Sequence, residues 1–323
     1  EDTLRIHKFI AENDVKSAVI AGGGYIGLEM AENLTEKGIS VTIVQRPNQV
    51  MAPLDYDMAC QLHGLLRKKG ITLKFGSSVT GFEEKDGLIL TTLKDDEPLK
   101  SDLVILAIGV TPDTALAKDA GLALGIKGSI TVNERMETSA PDVYAVGDAV
   151  QVKNFVTGED ALISLAGPAN KQGRIAADNI CGLKSSYDGS QGSSVIKIFD
   201  MTAATTGINE KTAKQLGIDY DKVVLFPLSH AGYYPGALAM SMKVIYEKKT
   251  LRLLGAQIVG YEGVDKRSDV IATVIRLGGK AGDLKNLDLA YAPPYSSAKD
   301  PVNMAGFMIE NLHQERVKQF HWH

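Results

Sequence analysis

Cysteine is scarce in this chain: 323 residues hold two, Cys60 and Cys181. They stand far apart and form no C-x-x-C pair. Cys60 falls in the helical pattern DMACQLHGLLRKKG and Cys181 at the end of GRIAADNICG, so both read as small buried or half-buried apolar residues rather than redox groups. No apolar run approaches about 18 residues, and no charged-then-apolar leader with a cleavage site opens the chain, which predicts a soluble, cytoplasmic protein with no membrane partner. Long basic runs are also missing and the formal net charge is -4, so no nucleic-acid partner is expected. Metal-ligand spacing is absent apart from His321 and His323 in the tail, a pair too weak to predict a metal. No internal repeat or low-complexity tract appears. The chain lacks an initiator Met, and EDTLRIHKFIAEND reads as an amphipathic helix entered mid-chain, so a truncated or processed start is expected.

What is present is apolar and periodic. Hydrophobic residues make up 44% of the chain, enough to build two or three packed domains at this length. The order SAVIAGGG, YIGLEMAENLTEKG, ISVTIVQR, DYDMACQLHGLLRKKG, ITLKFGSSV alternates strand, helix, strand, helix, strand. That order predicts an α/β fold with a doubly wound parallel sheet. Residues 80–109 then alternate strands with turn residues only, as antiparallel hairpins leading into the apolar strand LVILAIG. From about residue 113 the pattern changes to a short helix, a long extended segment ending in Gly147-Asp148, and an Ala/Gly-sided helix. The polar stretch SSYDGSQGSS over 185–194 marks a boundary. Beyond it, strands and helices follow without parallel order, which predicts a separate α+β domain.

Gly22-Gly23-Gly24-Tyr25-Ile26-Gly27 matches G-x-G-x-x-G. The motif follows an apolar strand and opens a helix, which is the context that gives it meaning. Gly22 permits the tight turn, Gly24 lets backbone approach a pyrophosphate, and Gly27 allows close helix–strand packing. The helix N-terminus then faces the anion. The second strand ends in Gln45 and Arg46 rather than in the carboxylate that accepts from the ribose 2′-hydroxyl of NAD. A carboxylate would repel a 2′-phosphate and Arg46 could pair with one, so the residues tilt the expectation toward NADP(H) over NAD(H).

GGGYIGLEMAE, LAIGVTPDTALAKDAGL, SAPDVYAVGDA, LAGPANKQGRIAADNI and LAYAPPYSSAKDPVNMAGF occur in that order. Together they resemble the pyridine nucleotide-disulfide oxidoreductase family, in its coenzyme A-disulfide reductase branch, from about Asp2 to Asn311. The resemblance implies a Rossmann-like NAD(P)-binding domain over 1–112, the C-terminal part of an FAD-binding domain over 113–194, an α+β dimerisation domain over 195–312 and an exit linker over 313–323. It implies that Tyr25 gates the flavin, that Ile26 belongs to the nucleotide turn, and that Glu29 lies near the nicotinamide and pairs with a lysine of the flavin domain. Gly109 would lie along the cofactor. Gly147 and Asp148 would meet the FAD, Asp148 accepting from its ribityl chain, while Leu165 and Ala166 would contact the flavin end through backbone atoms. AGYYPG and AYAPPYSS would each send one tyrosine into the partner subunit's active site of a homodimer, as a proton donor to a departing thiolate. Tyr233 and Tyr291 are the expected donors, with Tyr234 and Tyr295 as packing members; a phenol stays neutral near pH 7 and still donates. Lys299, and more weakly Asn170 and Lys171, would bind the acidic coenzyme A moiety of a CoA disulfide or persulfide.

The same resemblance leads one to expect an earlier FAD-binding glycine motif and a redox-active cysteine, and neither is found ahead of Gly22. The chain is therefore expected to be an internal fragment of a longer flavoenzyme, inactive alone but able to bind NADP(H). Such an enzyme passes hydride from NAD(P)H to FAD and then electrons to a cysteine and a disulfide, persulfide or polysulfide. Two alternatives stand beside it: an NAD(P)H oxidase or peroxidase of the same fold, and a non-catalytic nucleotide-binding, dimerising module.

Overall fold

A computed structural model describes residues 1–320. They divide into two compact units, Glu1–Gly109 with Ile196–Met201, and Val110–Val195 with the chain from Thr202 onward. Residues 321–323, hence His321, His323 and the end of the expected linker, lie outside the described residues.

The first unit opens with α1 (Asp2–Glu12), amphipathic as its pattern predicts, although none of its residues is buried. There follow β1 (Ser17–Ala21), α2 (Tyr25–Glu36), β2 (Ser40–Gln45), α3 (Tyr56–Lys68) and β3 (Thr72–Phe75). An antiparallel sheet of β4 (Val79–Lys85), β5 (Leu88–Leu93) and β6 (Asp96–Ser101) intervenes before β7 (Leu103–Leu106) returns beside β1. The main sheet is parallel, in the order β3-β2-β1-β7. Its central strand is a continuous apolar run, as a sheet covered on both faces requires. The entry to β1 is pinned by Asp102, whose carboxylate accepts from the amides of Lys16 and Ser17 and from the Ser17 hydroxyl at 3.0, 2.8 and 2.7 Å. Val19 and Val44 of the parallel sheet share a core with Leu93, Val79 and Leu99 of the hairpin sheet.

In the second unit, α4 (Ala115–Asp119), β8 (Ile130–Thr131), β9 (Val150–Lys153), β10 (Asp160–Ala161) and α5 (Ala166–Ile180) surround a small core of Met136, Val150, Val152, Ala176 and Tyr187. Buried Asn179 ties the end of α5 to its surroundings, donating to the carbonyls of Arg135, Ile175 and Ser185. After β11 (Ser194–Ile198), most of which belongs to the first unit, comes the larger layer: β12 (Met201–Gly207), α6 (Glu210–Gln215), β13 (Tyr220–Leu225), β14 (Met240–Glu247), β15 (Leu253–Gly260), α7 (Val264–Arg276), α8 (Ala281–Asn286) and α9 (Pro301–His313). Strands β12, β15, β14 and β13 lie side by side and antiparallel. Met242, Val244, Leu254 and Ile258 meet Ile271, Ile275, Leu284, Val302 and Ile309 of the helices in one core.

That layer also buries charge. The Glu210 carboxylate accepts from Lys222 Nζ at 2.6 Å and Lys243 Nζ at 2.8 Å, and Tyr220 donates to it at 2.9 Å. Burial alone would push its pKa up; the bonds from Lys222 and Lys243 outweigh that and bring it down to about 2. Among the described residues no helix is long and apolar enough to cross a membrane.

Candidate functional site

The chain leaves β1 at Ala21 and turns through Gly22, Gly23 and Gly24 into α2. Two of the motif glycines are fixed by packing. A Cβ on Gly22, where φ is +112°, would sit 2.2 Å from the Ala107 carbonyl oxygen, and one on Gly27 would sit 2.0 Å from the Gly22 oxygen. Gly24 differs. Its backbone is extended, and a Cβ there would meet nothing within 4 Å. It is also the first residue of an α2 N-terminus that no side chain caps. Open space at an uncapped helix N-terminus beside a strand end is the cradle a pyrophosphate needs, so these residues fit a dinucleotide.

At the end of β2, Gln45 folds back on this turn, its Oε1 accepting from the Gly23 amide at 3.0 Å. Arg46 is exposed and makes no ion pair among the described residues. The segment after it is held from two sides. The Met51 amide donates to the Gly23 oxygen at 2.8 Å, and the Val50 amide donates to His63 Nε2 at 3.2 Å. His63 is 3% exposed on α3, its ring 4.7 Å from that of Phe75. Burial first, and the charge of Arg67 second, lower its pKa to about 4. On the first turns of α2, Tyr25 is half-buried while Ile26 and Glu29 are exposed. No lysine pairs with Glu29 among the described residues. Gly109 ends this unit, exposed and at φ +106°.

In the second unit Gly147 and Asp148 lie in a 3₁₀ turn beside α5. The Gly147 amide donates to Oε1 of Gln172, a buried residue of α5, at 2.7 Å. Asp148 is exposed, with no partner among the described residues. Leu165 precedes α5 and no side chain caps that helix, so backbone donors at Ala166 stand near its start, followed by exposed Asn170 and Lys171. A lone carboxylate acceptor and an uncapped helix start form a donor and acceptor set that suits the hydroxyl chain and polar ring edge of a flavin.

The tyrosine loops come together within the same unit. Tyr233 and Tyr291 share a hydrogen bond, Oη to Oη, of 2.7 Å. Both are exposed, at 77% and 45%. The bond to Tyr233 raises the pKa of Tyr291 above its ordinary value. Tyr234 sets its ring edge-on to His230 at 5.9 Å, and Tyr295 is exposed. The ammonium of Lys299 lies over the Phe307 ring, 5.3 Å from its centroid.

The cysteines correct one expectation: both are exposed, not buried. On α3 the buried stripe is Met58, Ala59, Leu62, His63, Leu65 and Leu66, and Cys60 falls beside it; Cys181 is the residue that ends α5. Sequence reasoning also passed over Gln172, His63 and Arg267. Arg267 had a signal. Val264, Ser268, Ile271, Val274 and Ile275 make the buried face of α7, and the arginine falls on that face.

Residues 2–173 match the pyridine nucleotide-disulphide oxidoreductase family, and residues 193–301 match that family's dimerisation domain. The crystal structure of reduced Bacillus anthracis CoADR-RHD is 49% identical with a TM-score of 0.97, covering 100% of this chain and 58% of its own. An NAD-dependent persulfide reductase from A. fulgidus is 38% identical with a TM-score of 0.93, over 97% of this chain and 58% of its own. The coenzyme A disulfide reductase of Staphylococcus epidermidis is 33% identical over 96% of this chain and 70% of its own length. The chain thus spans little more than half of the two solved relatives. With its parallel nucleotide-binding sheet and antiparallel dimerisation layer, it belongs to the pyridine nucleotide-disulphide oxidoreductase family.

Proposed function

We propose that this chain carries the NAD(P)H-binding and dimerising portions of an FAD-dependent reductase of coenzyme A disulfides or persulfides, acting as a homodimer. The observation that carries the reading is the 2.7 Å contact between the hydroxyls of Tyr233 and Tyr291. Two neutral phenols, exposed on one surface and bonded to each other, can hold a proton ready for a thiolate leaving a disulfide or persulfide. When bound, the flavin supplies the redox chemistry.

In this reading Gly22, Gly24 and Gly27 shape the nucleotide turn, Asp148 accepts from the hydroxyl chain of the flavin, and the start of α5 offers backbone donors to its ring. Lys299, Asn170 and Lys171 carry positive or polar character toward the acidic coenzyme A moiety. The redox cysteine is assigned to neither Cys60 nor Cys181, which stand exposed on α3 and at the end of α5. Gln45 and Arg46, in place of a carboxylate, favour NADP(H) over NAD(H).

Two measurements on purified protein test this. Calorimetric titration of the 323-residue chain with NADPH and NADH should give the tighter binding to NADPH; equal or reversed affinities overturn the argument from Arg46. In the complete reading frame, NAD(P)H oxidation should depend on CoA disulfide or persulfide. Oxidation that proceeds with oxygen or peroxide and gains nothing from CoA disulfide overturns the reductase assignment.

A further inference from the structure

We propose that Arg267 is a positioning residue for the phenol pair, clamping the loop that carries Tyr233 to the loop that carries Tyr291. The proposal rests on the reading of those phenols as the proton donors. Arg267 is 1% exposed on the inward face of α7. One of its terminal nitrogens donates to the Ser229 carbonyl at 2.8 Å, four residues before Tyr233, and to Asp300 Oδ2 at 3.0 Å. The same nitrogen lies 3.4 Å from the hydroxyl of Ser296, five residues beyond Tyr291. The other terminal nitrogen donates to the Gly263 carbonyl at 3.2 Å.

What the guanidinium grips is itself braced. Ser296 donates to Asp300 Oδ2 at 2.5 Å, and Asp300 Oδ1 caps α9 by accepting from the Val302 amide at 3.0 Å. The Ala231 amide, two residues before Tyr233, donates to the carbonyls of Ser296 and Pro293 at 3.0 and 3.3 Å. The first loop is closed on itself by the Ser229 hydroxyl, which accepts from the Leu238 amide at 3.1 Å. Both loops therefore hang from one buried cation. Its Nε has no hydrogen-bond partner among the described residues. A buried guanidinium–carboxylate pair left partly unsatisfied stabilises a fold poorly compared with apolar side chains of the same volume. What it supplies is direction: a planar fork whose reach spans acceptors on two segments at once. A hydroxyl pair at 2.7 Å tolerates little slip, and a displacement of about 1 Å between catalytic groups can cost on the order of 10²-fold in rate.

The test uses two variants, with ¹³Cζ-tyrosine NMR titration of the phenols, assigned through Tyr233→Phe and Tyr291→Phe. Arg267→Met with Asp300→Asn removes both charges and leaves no buried ion unpaired. Arg267→Lys keeps the charge beside Asp300 and gives up the reach to Ser229. Circular dichroism and nucleotide titration of the first unit monitor folding. In both variants Tyr291 should ionise at lower pH than in the parent, the same direction expected when Tyr233 becomes Phe. In the complete enzyme, kcat for CoA-disulfide reduction should fall on the order of 10²-fold with KM for NAD(P)H unchanged. An unmoved Tyr291 in either folded variant overturns the clamp. Uncoupled phenols with intact disulfide reduction uphold the clamp and overturn the proton-donor reading instead.

Discussion

Tyr233 and Tyr291, 58 residues apart in sequence, place their hydroxyls 2.7 Å from each other. The bond to Tyr233, then burial and the charge of an ionised Tyr233, hold the pKa of Tyr291 above its ordinary value of about 10. Replacing Tyr233 by Phe removes that partner hydroxyl and its charge, and nothing buried. Tyr291 should then ionise at lower pH, with the melting temperature unchanged. A tyrosinate titration of Tyr233→Phe that leaves Tyr291 where it was would show that the two hydroxyls are not bonded in solution.

The glycine motif separates ligand from packing. Gly24→Ala puts its methyl where nothing lies within 4 Å, on extended backbone any residue adopts. Unfolding in urea without nucleotide should match the parent, while NADPH affinity falls about tenfold, or ~1.4 kcal/mol, from loss of close backbone approach. Gly27→Ala puts its methyl 2.0 Å from the Gly22 oxygen. Here the turn and helix must separate, so ligand-free stability should drop by about 1–3 kcal/mol. If Gly24→Ala binds NADPH as tightly as the parent, the cradle lies elsewhere.

The nucleotide-binding sheet was legible because periodicity and turn chemistry agree there: apolar runs of strand length alternate with amphipathic helices from Ser17 to Phe75. The tyrosine motifs were legible as residue types, and only the fold could show that Tyr233 meets Tyr291. Gln45 could be read as the absence of a carboxylate; that its amide turns inward to the Gly23 N–H depends on the curl of a loop, which no local propensity encodes. Cys60 was misread since one residue on a helix of thirteen is set on or off the buried face by a rotation of 100°. Arg267 was readable in principle, as a cation on an apolar stripe, but its partners lie 33 and 38 residues away in sequence.

His63 makes the first unit sensitive to acid. Its ring accepts the Val50 amide and so must be neutral at Nε2, and its pKa is lowered from 6.5 to about 4. The sign follows from proton counts. Between pH 6.5 and 4 the unfolded chain binds a proton at this site that the folded chain refuses, so stability is full above 6.5 and declines as pH falls. The whole loss is about 3 kcal/mol at most, with Arg67 the charged group that opposes the imidazolium. Below pH 4 the imidazolium can no longer accept from Val50, and the segment that leans on Gly23 through Met51 and Val50 loses that support. Glu210 acts in a separate window: with its pKa down at about 2 from 4.5, its contribution is present above 4.5 and is lost only as pH drops toward 2. Urea midpoints at pH 7 and pH 5 therefore isolate the histidine. In His63→Gln the amide oxygen can still accept from Val50 and takes up no proton, so the fall in midpoint between those two pH values should shrink markedly. A fall as steep in His63→Gln as in the parent would place the acid sensitivity in another group.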